Sequence, residues 1–165
     1  MFPENFLSAG RIKPRSEATS KKRVLEEIGD LLSSSVPDLP PERIFDKLLE
    51  RERLGSTGVG QGIALPHARI QGVSVAKGAL IHLEAAVDFD AIDNQGVDLV
   101  FGLIVPEMAT EEHLKLLAQL ATLFSDQDFC GRLRDATTSD QMLSIIEQSP
   151  AATTAAPGKQ PGSGQ

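Results

Sequence analysis

Apolar residues recur at helical spacing in five stretches of the chain and run almost unbroken in others, and this change of period predicts an α/β domain. Val24, Leu25, Ile28, Leu31 and Leu32 follow Ser20, a residue type that caps helix N-termini, so a helix is predicted from there to about residue 34. Pro41 suits the first position of a second helix with the stripe Ile44, Phe45, Leu48 and Leu49, and Gly55 is its predicted stop. Thr110-Glu111-Glu112-His113 opens a third, with Thr110 as cap and the glutamates in the electropositive first turn. His113, Leu117, Leu120 and Phe124 recur at i, i+4, i+7 and i+11 and form its predicted buried stripe. Phe129 and Leu133 mark a helix over 126–134, and Met142, Leu143, Ile145 and Ile146 another over 139–148.

Between these helices lie the strands. Residues 78–85 (GALIHLEA) and 97–105 (VDLVFGLIV) read as strands, and the nearly continuous apolar run of the second predicts burial on both faces, hence a sheet with helices on both sides. Ile63, Ala64 and Leu65 read as a brief buried strand, and 11–15 as a short one. His82 shares an alternation face with Leu80 and Glu84; no motif surrounds it, so it reads as structural or partly exposed. Lys21-Lys22-Arg23 reads as a solvated helix face, and Cys130 as a small packing residue. Residues 1–10 are expected to be an irregular lead-in. Residues 149–165, rich in Ala, Thr, Pro and Gly, are expected to form a disordered tail.

Composition narrows the function classes. A length of 165 residues predicts one domain, and 41% hydrophobic content supplies its core. A net charge of −7 argues against nucleic acid, which demands a basic footprint. One cysteine leaves no intramolecular disulfide and no thiolate cluster for a metal. No apolar run approaches the ~18 residues of a membrane span, and the start lacks a signal peptide's basic-then-apolar order. A cytoplasmic protein without membrane insertion is expected.

Candidate chemistry concentrates in LGSTGVGQGIALPHARI, residues 54–70, which holds Gly55, Gly58, Gly60 and Gly62 ahead of Pro66 and His67. Such a cluster brings main-chain N–H groups close to a ligand, and the brief strand delivers a histidine to its end. A Walker loop would need Lys-Ser/Thr where Gln61 follows Gly60, and a dinucleotide fingerprint would need glycine at Ile63, so neither fits. By composition alone the stretch is equally a flexible connection with a surface histidine. Periodicity does not decide which of Arg51 and Arg53 turns inward, and by spacing alone His113 reads as a core histidine.

The run from Arg51 to His67, RERLGSTGVGQGIALPH, resembles the active-site signature of the enzyme IIA proteins of the phosphoenolpyruvate-dependent phosphotransferase system, mannitol/fructose type, and within them the nitrogen-regulatory branch. Further matches are Phe89-Asp90-Ala91-Ile92-Asp93-Asn94, Val97-Asp98-Leu99-Val100-Phe101, Val105-Pro106 and Glu112-His113-Leu114, so that the likeness covers roughly residues 5 to 148. It implies a three-layer α/β/α domain over residues 11–148, with a small mixed sheet. It further implies His67 as the phosphoryl acceptor through Nε2, and His113 and Arg51 as active-site partners. The glycine-loop amides of Gly58, Gly60 and Gly62 and the helix N-terminus near Thr110 are the expected additional ligands of the phosphoryl oxygens, and that helix end is expected to keep a nearby imidazole neutral. No metal or organic cofactor is implied.

The implied donor is a histidine phosphocarrier protein. Two readings of the output remain: a regulator whose phosphorylation state selects its target proteins, or a metabolic component passing phosphate to a IIB domain for sugar uptake. The Gly-Ser-Thr-Gly loop and the absence of a fused IIB segment favour the first. A binding-only relative is a third reading, opposed by the joint presence of His67, His113 and Arg51. Gly96 departs from the proline that members often carry there and loosens only that turn.

Overall fold

The computed structural model describes residues 2–150. The expected tail therefore lies outside the described residues from 151 onward, while Ser149 is buried and its hydroxyl donates to the carbonyl of Ile146 at 2.6 Å. The lead-in from residue 2 to 8 has no helix or strand. Phe6 is buried, and a 3-10 turn at Ala9–Arg11 leads into β1 (Ile12–Ser16).

Five helices form where the spacing predicts them. In α1 (Lys21–Ser33), the Ser20 side chain accepts from the Arg23 amide, as a cap should. Pro41 begins α2 (Pro41–Glu52). They are followed by α3 (Thr110–Phe124), α4 (Gln127–Asp135) capped by Asp126, and α5 (Ser139–Glu147), where Thr138 and Gln141 form a capping box. Among the described residues, no helix is long and apolar enough to cross a membrane.

The remaining strands are β2 (Gly58–Gly60), β3 (Ile63–Ala64), β4 (His67–Ile70), β5 (Lys77–Val87) and β6 (Val97–Pro106). The sheet is mixed, in the order β1-β5-β6-β3-β2, with β4 also paired to β6. Two of its pairings are antiparallel, β5 with β6 and β2 with β3; the pairings of β1 with β5 and of β6 with β3 and β4 are parallel.

Alternation along β6 splits its side chains between two cores, because successive residues of a strand point to opposite faces. Val100 and Ile104 pack with Val24, Leu25, Ile28, Ile44 and Leu48 of α1 and α2. Leu99, Phe101, Leu103 and Val105 pack with Leu116, Leu120, Phe129, Leu133 and Met142 of the last three helices. This is the three-layer α/β/α domain, and each large side chain buried in it contributes about 1.5–3 kcal/mol. Gly102 faces α1, where an added Cβ would sit 2.4 Å from Ile28 Cγ2; only glycine lets α1 approach this closely.

Candidate active site

The line of chain along one side of β6 is interrupted once, and the interruption builds the site. Ile63 and Ala64 pair with Leu99 and Val100, and His67 resumes the pairing opposite Leu103. Between them Leu65 turns its N–H away to the carbonyl of Thr57 at 3.0 Å. Pro66 has no N–H to offer the ladder, and its carbonyl accepts from Leu103 at 3.0 Å. The kink leaves the Leu65 carbonyl 2.7 Å from Nδ1 of His67. A carbonyl only accepts, so Nδ1 carries the proton of the neutral ring and the lone pair belongs to Nε2.

His67 lines an open cleft of about 700 Å³ together with Arg51, Arg69, Lys47, Thr110 and His113. The rings of His67 and His113 meet edge to face, 5.1 Å apart at an angle of 71°. Nε2 of His113 is buried without a hydrogen-bond partner. Burial, then the neighbouring charges of His67, Arg69 and Arg51, push the pKa of His113 down to about 4. His67 is also lowered, chiefly by burial, against which the Leu65 hydrogen bond acts. Both rings are therefore neutral at pH 7. Arg51, in the last turn of α2, is braced by donating from Nη1 to the carbonyl of Gly55 at 2.8 Å. Among the described residues, neither Arg51 nor Arg69 forms an ion pair with a carboxylate. The cleft thus joins a bare imidazole nitrogen to unneutralised cations and a helix N-terminus, a combination suited to a phosphoryl group.

The structure brings His67, His113 and Arg51 together and separates the glycines from them. Gly58, Gly60 and Gly62 do not line the cleft. The amide of Gly58 donates to Ser56 Oγ at 3.0 Å, and a Cβ on Gly58 would meet Ala91 at 2.8 Å. Gly60 and Ile63 pair across a two-residue turn whose central residues, Gln61 and Gly62, have φ of 59° and 85°. Positive φ at both positions is what a type I′ hairpin requires. The glycine density thus builds a hairpin packed under the Phe89–Asn94 motif, outside the cleft lining.

Three local expectations also shift. Ala109, not Thr110, is the N-cap of α3, and it makes no side-chain cap; Thr110 is the first helical residue and lines the cleft. The buried stripe of α3 is Leu116, Leu120, Leu123 and Phe124, while His113 and Leu117 are half-buried and face the cleft. Lys21 is half-buried, its ammonium 2.8 Å from the buried carboxylate of Glu52, unlike exposed Lys22 and Arg23.

Sequence reasoning missed Arg69 and Lys47. Arg69 was legible, because a residue two positions beyond His67 on a strand shares its face. Lys47 lies one turn before Arg51 on α2, also a readable spacing. His82 is half-buried as expected, with Nε2 3.7 Å from Asp98.

Known proteins resemble the chain over most of its length. The family model "Phosphoenolpyruvate-dependent sugar phosphotransferase system, EIIA 2" matches residues 5–149. A nitrogen regulatory protein of Pseudomonas aeruginosa is 47% identical over 143 residues, covering 87% of this chain and 93% of the relative. The crystal structure of nitrogen regulatory protein IIA-Ntr from Neisseria meningitidis superposes with a TM-score of 0.81 at 42% identity, covering 86% of this chain and 96% of that one. IIA mannitol from Escherichia coli shares the fold, with a TM-score of 0.70 at 23% identity over 85% of this chain and 98% of its own. The chain belongs to the EIIA 2 family of the phosphoenolpyruvate-dependent phosphotransferase system and is similar to its nitrogen regulatory members.

Proposed function

We propose that this protein is a phosphocarrier that accepts a phosphoryl group on Nε2 of His67 from a histidine phosphocarrier protein and regulates partner proteins through its phosphorylation state. The observation that carries the reading is the 2.7 Å contact between Nδ1 of His67 and the Leu65 carbonyl, which commits the ring proton to Nδ1. Nε2 then attacks phosphorus in line as the donor's own N–P bond breaks, and the donor imidazole leaves. Arg51 and Arg69 offset the charge on the transferred group, and a neutral His113 with its proton on Nε2 donates to a phosphoryl oxygen.

The rim of the cleft supports a protein as donor. Leu54, Met108 and Leu114 are large apolar residues left 84%, 87% and 68% exposed around it. A small-molecule donor gives such residues nothing to pack against, whereas a docked protein covers them. Identity of 47% and 42% to nitrogen regulatory proteins favours regulation over sugar uptake.

The test is transfer of label from phosphoenolpyruvate through enzyme I and the histidine phosphocarrier. Wild type is expected to take up acid-labile phosphate, and His67→Ala none, with an unchanged circular dichroism spectrum. Label retained by His67→Ala would move the acceptor elsewhere.

A further inference from the structure

The stripe of α2 that faces the core runs Ile44, Leu48 and then Glu52, so a carboxylate occupies the position one turn on from two fully buried aliphatic side chains. Glu52 is 6% exposed. A buried carboxylate is costly unless its oxygens are satisfied, and here they are. Oε1 takes Nζ of Lys21 at 2.8 Å and the Thr57 amide at 3.2 Å, and Oε2 takes the Thr57 hydroxyl. Lys21 is held in turn over the Phe89 ring, 5.2 Å from its centroid.

Thr57 carries the connection onward. Its carbonyl accepts the Leu65 N–H at 3.0 Å, and the Leu65 carbonyl accepts from Nδ1 of His67 at 2.7 Å. The backbone of Leu65 is held on its other side by Pro66, which restricts the residue before it to extended backbone. A continuous line of hydrogen bonds thus runs from Lys21 through Glu52, Thr57 and Leu65 to the imidazole. Arg51 and Glu52 are adjacent on α2, and their side chains diverge by about 100°, so the turn that carries Arg51 to the cleft is bolted by its neighbour to the peptide that orients His67.

We propose that Glu52 is a positioning residue for His67: acting through Thr57 and Leu65, it fixes the proton of the imidazole on Nδ1 and keeps Arg51 in register with Nε2. The proposal rests on the reading of His67 as the phosphoryl acceptor. The coupling is positional: Glu52 fixes the Thr57 backbone, the Thr57 carbonyl fixes the Leu65 N–H, and the direction of the Leu65 carbonyl toward Nδ1 follows, so loss of the first contact loosens the last. A freed Leu65 carbonyl also lets the ring take its other tautomer, in which Nε2 carries the proton and cannot attack.

The experiment compares wild type with Glu52→Gln, Thr57→Val and Thr57→Ser. Nitrogen NMR of the His67 ring in the unphosphorylated protein reads the tautomer, and transfer from the phosphorylated histidine carrier reads the rate. Wild type and Thr57→Ser are expected to hold the Nδ1–H tautomer and to transfer at similar rates. Thr57→Val, nearly isosteric but without the hydroxyl, and Glu52→Gln are expected to show a mixture of tautomers and transfer slowed about tenfold, the effect of one hydrogen bond. Folded Glu52→Gln and Thr57→Val proteins that keep the wild-type tautomer would overturn the proposal, and so would slower transfer explained wholly by loss of folded protein. Should Glu52→Gln not fold, Thr57→Val against Thr57→Ser decides alone. Should wild type itself take no label, the function reading fails, while the tautomer comparison still decides whether Glu52 orients the ring.

Discussion

Two histidines stand toward opposite ends of β6, and their surroundings differ in whether charge is paired. At the Asp98 end, Arg134 closes on the carboxylate through Nε at 2.9 Å and Nη2 at 2.8 Å, and Nη2 also reaches the Gln61 carbonyl at 3.3 Å. His82 completes this cluster. Burial opposes ionisation of Asp98, but His82 close by and the hydrogen bonds from Arg134 outweigh it and hold its pKa below the usual value. At the His67 end, burial depresses both imidazoles, one ring nitrogen has no partner, and two arginines lack carboxylates. The first arrangement binds α4 to the glycine hairpin. The second leaves polar capacity unspent, and that is where a ligand gains most.

The contrast makes four tests, taken from the largest effect down. Arg51→Ala removes an unpaired cation from the cleft and is expected to slow phosphoryl transfer on the order of a hundredfold, with little change in the urea midpoint. A rate near that of wild type would return Arg51 to a surface charge. Arg134→Ala should do the reverse, costing about 1–2 kcal/mol of stability while transfer in the folded protein stays at the wild-type rate. Slowed transfer in that variant would join the two ends functionally.

The pH dependence of stability is the third test. His113 binds its proton near pH 4 in the folded chain, against 6.5 as its ordinary value. Between those values the unfolded chain binds more protons than the folded one, so folding stability rises with pH and is lost as pH falls through that window. Melting curves at successive pH values should therefore show a shallower decline in His113→Asn than in wild type over the same range. Equal slopes would mean that His113 is protonated as readily in the fold as outside it. The smallest expected effect belongs to His82→Gln, for which transfer rate and tautomer of His67 should both match wild type; a slowed rate would give that histidine a role its pairing with Asp98 does not suggest.

How much of the site was legible depended on whether a residue's role is local. His67 was visible as the end of a short strand after a glycine-rich segment, and Ser20 and Pro41 announced their helices, because caps and proline act within one turn. Glu52 left a clear but unused signal, a charge in register with Ile44 and Leu48. Arg69 left another, two residues beyond His67. The glycines were ambiguous because the same composition serves a phosphate cradle and a tight hairpin, and the hairpin becomes visible only through their neighbours in space, Ala91 for Gly58 and Asp93 for Gly60.

From the residues alone followed the helices and principal strands, the burial of β6 on both faces, and the likeness that singled out His67, His113 and Arg51. These depend on periodicity and on short motifs, which are properties of neighbours along the chain. Tertiary structure decided the rest. It turned His113 and Leu117 toward the cleft, added Arg69 and Lys47 to its lining, drew Lys21 inward to Glu52, and set the ring proton of His67 on Nδ1. Each of these is fixed by a partner distant in sequence or by a backbone kink, and a hydrogen bond or a change in burial has no signature in the chain until the partners meet.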